Sequence, residues 1–141
     1  LDDNRAHLYH EYYRSLKELR PSIFLYENVR GLLSMNNGKL FIELKKLFSS
    51  LGYKISAKVL NAADYGVPQL RQRVIIVGTI GNRKFEYPEP THNDNEKNLD
   101  LFDDKKKYLT LQDAISDLPF LENGGETKKY LSKPKNEYQK V

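Results

Sequence analysis

The sequence contains no cysteine and no tryptophan, and only a single methionine. Without cysteine there is no disulfide framework, no thiolate metal site and no cysteine nucleophile within these residues. No apolar run approaches the roughly 20 residues that cross a bilayer, which excludes a helical membrane span. The first residue, Leu1, is not Met and no basic-then-apolar leader follows it, so the chain reads as a processed or excised piece. Glycine-rich phosphate loops and a nucleophile elbow are also missing. Ser34, Ser49 and Ser50 have no base at a recognisable spacing.

What is present describes a folded protein. A chain of 141 residues with 39% hydrophobic and 11% aromatic residues buries enough surface for one domain and is too apolar for disorder. The net charge of +4 is unevenly placed: residues 1–80 hold 12 Lys and Arg against 7 Asp and Glu, and residues 81–141 hold 11 against 12. A basic first part suits phosphates, but a charge of this size is also ordinary on soluble proteins.

Apolar spacing predicts the elements. Leu8, Tyr9, Tyr12, Tyr13, Leu16 and Leu19 recur at three- and four-residue intervals, a helical stripe from about His7 to Arg20 that Pro21 stops. The continuous run Ile23 to Tyr26 reads as a parallel strand covered on both faces, ended by the polar Glu27 and Asn28. After a turn at Ser34 to Gly38, Leu40, Phe41, Leu44, Leu47, Phe48 and Leu51 form a second helix closed by Gly52. Tyr53 to Leu60 alternates as a half-covered strand, and Arg73 to Ile80 is a further strand, close enough in sequence to pair with it antiparallel. Strands alternating with helices give an α/β fold, part of a doubly wound sheet with an antiparallel strand pair at one side. Asn93 to Lys107 reads as loop, and Leu109 to Leu121 as ordered, with Leu111, Ala114, Ile115 and Leu118 on one helical face, Thr110 as N-cap and Pro119 at the end; the chain from Glu122 reads as a flexible tail.

Three clusters are candidates for chemistry. Glu27 and Asn28 sit at the carboxyl end of a strand, where open α/β sheets place ligands, and a partly desolvated carboxylate there is poised to give a proton or bind a base edge. The same Glu could simply cap the next turn. Gln69, Arg71 and Arg73 share a face if the stretch is extended, and two adjacent guanidiniums suit phosphates or a carbonyl oxygen. Equally, they could be the charges that keep an edge strand from aggregating. Asp2, Asp3, Arg5, His7 and His10 offer carboxylates and imidazoles near the start, but with no third ligand at a metal-binding interval, so no metal is expected.

The stretch Pro21 to Val29, with its Glu27-Asn28-Val29, followed by Asn61 to Arg73, with Gln69, Arg71 and Arg73 as Q-x-R-x-R, resembles the DNA (cytosine-5) methyltransferases of bacterial restriction-modification type. Both motifs stand in the family's order, about 40 residues apart. Asp3, Arg5 and Leu8 are similar to the family's preceding motif. Tyr108 to Pro119 is similar to the segment leading into its target-recognition domain, and Asn136 to Gln139 is familiar there too.

The resemblance implies a reaction in which a cytosine is flipped from double-stranded DNA, a thiolate adds to C6, and C5 takes a methyl group from S-adenosylmethionine. It implies that Glu27 binds and protonates cytosine N3, that Asn28 orders its loop, and that Arg73 meets the O2 side of the base. Arg71 faces the DNA backbone, Gln69 supports the pocket, and Leu8 gives the cofactor an apolar contact. Residues 1–81 then correspond to the C-terminal part of the catalytic domain, and 82–141 to a loop-rich segment leading into target recognition. The family's glycine-rich cofactor motif and Pro-Cys motif are not among these residues, so an internal piece, inactive alone, is expected. The alternatives are a naturally split or degenerate subunit that binds DNA or a partner without catalysis, and a generic α/β interaction domain. A bacterial cytoplasmic, nucleoid-associated setting is implied, with self-association through an exposed edge at Ile23 to Tyr26.

Overall fold

The structure is a computed structural model describing residues 8–81, 83–94, 104–128 and 132–140. It divides into two compact units, Leu1–Leu60 with Gln72–Pro88, and Asn61–Arg71 with Glu89–Val141. No described helix is long and apolar enough to cross a membrane.

The first unit holds α1 (Leu8–Leu19), β1 (Ile23–Val29), α2 (Lys39–Ser50), β2 (Lys54–Asn61) and β3 (Gln72–Thr79). Its sheet has the order β1-β3-β2, with β1 and β3 antiparallel. Sequence proximity pairs β2 with β3; the structure adds that β3 lies between β2 and β1. Phe24 stands directly opposite Gly78, and a Cβ there would lie 2.1 Å from the Phe24 ring, so the close approach of these strands requires glycine.

The two helical stripes pack on one sheet face. Leu16, Phe24, Leu32, Leu44, Phe48, Leu51, Tyr53, Val74 and Ile76 form the core. Phe24 sits between Phe48 and Tyr53, with ring centroids 5.1 and 4.9 Å away in edge-to-face geometry. Arg20 ends α1 with a left-handed φ of 46°, costly for a side chain, and its guanidinium donates to the Leu51 carbonyl at 2.7 Å. Gly52 closes α2, its N–H donating to the Ser49 carbonyl at 2.9 Å.

Strand β1 departs from the expectation of a parallel strand with two covered faces: its neighbour β3 runs antiparallel to it, and only one face is packed. Phe24 is buried, whereas Ile23, Leu25 and Val29 are exposed, because the alternation of a strand sends them to the face that the two helices do not cover. Glu27 and Asn28 do not end the strand either: both are paired within it, opposite Ile75 and Val74. Similarly, β2 is less covered than its alternation predicts, with Ala57 and Val59 exposed.

The second unit is built from short pieces: a 3-10 turn at Ala62–Tyr65, a parallel bridge of β4 (His92–Asn93) and β5 (Lys106–Lys107), and α3 (Leu111–Ile115). The bridge replaces part of the loop expected over Asn93 to Lys107; residues 95–103 lie outside the described ones. Thr110 caps α3 as expected, in a reciprocal box with Asp113. The helix ends at Ile115, short of the expected stop at Pro119, and Leu118 lies beyond it.

The tail is not loose where described. Asn136 Nδ2 and Gln139 Nε2 both donate to the Asp113 carbonyl at 2.8 Å, and Gln139 Nε2 also donates to Ser116 Oγ at 2.9 Å. These bonds satisfy polar groups of the α3 end that a five-residue helix leaves open.

Candidate functional site

On the sheet of the first unit, Glu27 projects from β1 on the same face as Val29, whose cross-strand partner is Arg73. Glu27 and Arg73 are therefore diagonal neighbours, and long side chains reach across that interval. Arg73 Nε lies 2.7 Å from Glu27 Oε1. The Arg73 side chain is 22% exposed and the Glu27 side chain 48%, so the acid is ion-paired and open to solvent, not desolvated as its strand-end position predicted. At this exposure the pair adds less than about 1 kcal/mol to stability. The pair sets a carboxylate beside a guanidinium, both partly open to solvent.

Further hydrogen bonds surround the pair. Arg73 Nη1 donates to the Gln72 carbonyl at 2.9 Å, and Arg30 Nη1 donates to Gln72 Oε1 at 2.8 Å. Asn28 points to the opposite face from Glu27, where its Nδ2 donates to the Tyr26 hydroxyl at 3.2 Å. Its Oδ1 accepts the Val29 N–H at 2.8 Å. Neither of these Asn28 bonds involves the Glu27–Arg73 pair.

The remaining predicted residues fall elsewhere. Leu8 is exposed at the first turn of α1. Gln69 and Arg71 belong to the second unit, both exposed, in the loop that follows Gly66. Arg71 and Arg73 thus fall in different units, so the single extended face expected for Gln69, Arg71 and Arg73 is not one structural element. Asp2, Asp3, Arg5 and His7 lie outside the described residues.

Gly66 has a φ of 84° and carries the His92 ring against it, where a Cβ would lie 2.8 Å from Cε1; only glycine allows both. Beside this loop, Asn61, Asp64, His92, Asn93 and Tyr108 line an open hollow of about 650 Å³. The Tyr108 hydroxyl donates to Asp64 Oδ1 at 2.5 Å, and this bond raises the Tyr108 pKa above its usual range, with burial adding to it. Sequence spacing does not single out Asn61, Asp64 or Tyr108, because their partners are up to 44 residues apart and follow no period.

The sequence profile of the C-5 cytosine-specific DNA methylase family matches residues 1–140. The Type II methyltransferase M.BspRI of Lysinibacillus sphaericus is 45% identical over 120 residues, which are 84% of this chain and 27% of that protein. M1.HphI of Haemophilus parahaemolyticus is 40% identical over 131 residues, 93% of this chain and 32% of the relative. M.AquIA of a Picosynechococcus strain is 42% identical over 130 residues, 84% of this chain and 52% of its own length. The chain thus spans about a quarter to a half of these relatives. Among solved structures, an E. coli prophage protein described as a candidate DNA modification methyltransferase is similar, with 31% identity and a TM-score of 0.61. The likeness covers 85% of this chain and 32% of that one.

Proposed function

The chain belongs to the C-5 cytosine-specific DNA methylase family, and from that premise we propose that it supplies the base-binding acid and the DNA-facing arginines of a cytosine-5 methyltransferase. The observation that carries the reading is the half-exposed Glu27 held 2.7 Å from Arg73. A cytosine extruded from the duplex presents N3, the exocyclic amine and O2 along one edge. As the carboxylic acid, Glu27 gives its proton to N3, and the carboxylate left behind accepts from the amine, while Arg73 meets the O2 side. Protonation draws electron density from C6 and prepares it for a thiolate that these residues do not contain.

Asn28 keeps the chain beyond Glu27 in place, Gln69 supports the pocket, and Arg71 meets the phosphate backbone. Bound S-adenosylmethionine supplies the methyl group in this family's chemistry. Leu8, apolar and exposed at the start of α1, fits an apolar contact to it. Since the chain holds no cysteine, we infer that it transfers no methyl group by itself. Its partner is double-stranded DNA, in a bacterial cytoplasm and at the nucleoid. A second copy of the chain is a further partner, through the free edge of β1 at the end of the sheet, beside the face on which Ile23, Leu25 and Val29 are exposed.

The test is the anisotropy of a labelled duplex titrated with the chain at several salt concentrations. Affinity should fall as salt rises, and Arg71→Ala should reduce the salt slope by about one. Binding that ignores both salt and Arg71 contradicts the reading.

A further inference from the structure

The loop carrying Gln69 and Arg71 closes on its own beginning. The Arg71 N–H donates to Asn61 Oδ1 at 3.0 Å, and the Arg71 carbonyl accepts from the Ala62 N–H at 3.0 Å. Between these anchors, the Val67 N–H returns to the Ala62 carbonyl at 3.2 Å and the Gln69 N–H to the Val67 carbonyl at 2.7 Å. Both backbone groups of Arg71 are therefore fixed by one pair of residues, and the orientation of the Asn61 amide decides whether the first bond exists.

That orientation is set from farther along the chain. A carboxylate only accepts, so Asp64 Oδ1 draws the Asn61 Nδ2 toward it, at 3.5 Å, and leaves the Asn61 oxygen for Arg71. The same Asp64 oxygen takes the Tyr108 hydroxyl at 2.5 Å, and the Asp64 carbonyl takes the Thr91 N–H at 2.9 Å. Two separate downstream segments thus hold Asp64 in place.

We propose that Asn61, Asp64 and Tyr108 are positioning residues for Arg71: through the Asn61 amide they fix the backbone from which its guanidinium reaches DNA. This rests on the reading of Arg71 as a contact to the DNA backbone. The Tyr108 hydroxyl is remote in sequence from Arg71, yet it determines the effective reach of that charge.

The test is a double-mutant cycle in the full chain, reading both duplex DNA affinity and amide hydrogen exchange. Tyr108→Phe, which removes one oxygen, should weaken DNA binding about three- to tenfold and speed exchange of the Arg71 amide. It should have no further effect on DNA binding when Arg71 is already Ala, because the positioned group is gone. Asp64→Ala, which removes the acceptor itself, should behave in the same way and serves if Tyr108→Phe fails to fold.

A merely structural role for Tyr108 predicts equal losses in both backgrounds, and that result overturns the inference. So does an unchanged affinity in Tyr108→Phe while Arg71→Ala binds more weakly. If Arg71→Ala leaves DNA binding intact, the DNA-facing role of Arg71 fails and the functional half of the inference with it. Arg71 amide exchange then separately decides whether Tyr108 sets that backbone: unchanged exchange in both variants overturns the positioning as well.

Discussion

The two units are held together by different means. The first buries Leu44, Phe48 and Ile76 completely around a cluster of edge-to-face aromatic rings. In the second, Ala63 is the buried hydrophobic residue among the described ones, and Leu70, Leu111 and Phe120 are exposed. Polar side chains take the place of a core there: Tyr108 on Asp64, and Asn136 and Gln139 on the carbonyl of Asp113. Apolar burial gives stability without direction, whereas hydrogen bonds place a loop accurately at a small net gain per bond. In the proposed function, the first unit carries the base-binding pair on a rigid sheet, and the second aims a cation.

The sharpest break in this comparison is Phe48→Ala, which removes a fully buried ring and should cost about 3–5 kcal/mol by denaturant unfolding. A loss below 1 kcal/mol would deny the first unit its core. Next comes Gly78→Ala. Its methyl would meet the Phe24 ring in a packed interior, and a destabilisation of about 1–3 kcal/mol is expected, with signs of a shifted β1 in NMR spectra.

Smaller again is Gln139→Ala in the second unit. It frees the Asp113 carbonyl of one of its two side-chain donors and should cost about 1 kcal/mol, visible as faster amide exchange in α3 with the first unit unaffected.

Acid sharpens the comparison further. Hydrogen bonds from the Thr110 backbone and hydroxyl hold the Asp113 carboxyl below its ordinary value of 3.8, so its contribution is full above that pH and is lost as pH falls through the lower, folded value. The cap of α3 should therefore loosen below about pH 4 in an NMR titration. The aromatic core has the opposite sensitivity. Burial raises the Tyr12 and Tyr53 pKa above 10.0, so their contribution is intact below that pH and declines as pH rises past it. Core loosening in acid before the α3 cap yields would contradict the division of labour.

The legibility of the sequence follows the same division. Helices α1 and α2 and strand β3 were readable because burial against one core imposes a period, and the structure keeps each within a residue or two of its expected bounds. The continuous apolar run of β1 does not reveal that its strand has only one packed face. Tail residues such as Asn136 and Gln139 carry no periodic signal, and composition alone suggested a loose end where hydrogen bonds hold one. Of the proposed site, the residue types at Glu27, Asn28 and Arg73 stand out in the sequence. The Asn61, Asp64 and Tyr108 chain was not, since it depends on contacts between distant segments.

The proposed function turns on Glu27 acting on the base. The most direct measurement compares Glu27→Gln with the parent in a full-length methyltransferase carrying this segment, reading methyl transfer and duplex affinity together. The account predicts turnover lower by about 10²–10⁴-fold with affinity nearly unchanged. Unchanged turnover, or a loss of affinity that matches the loss of turnover, would contradict it.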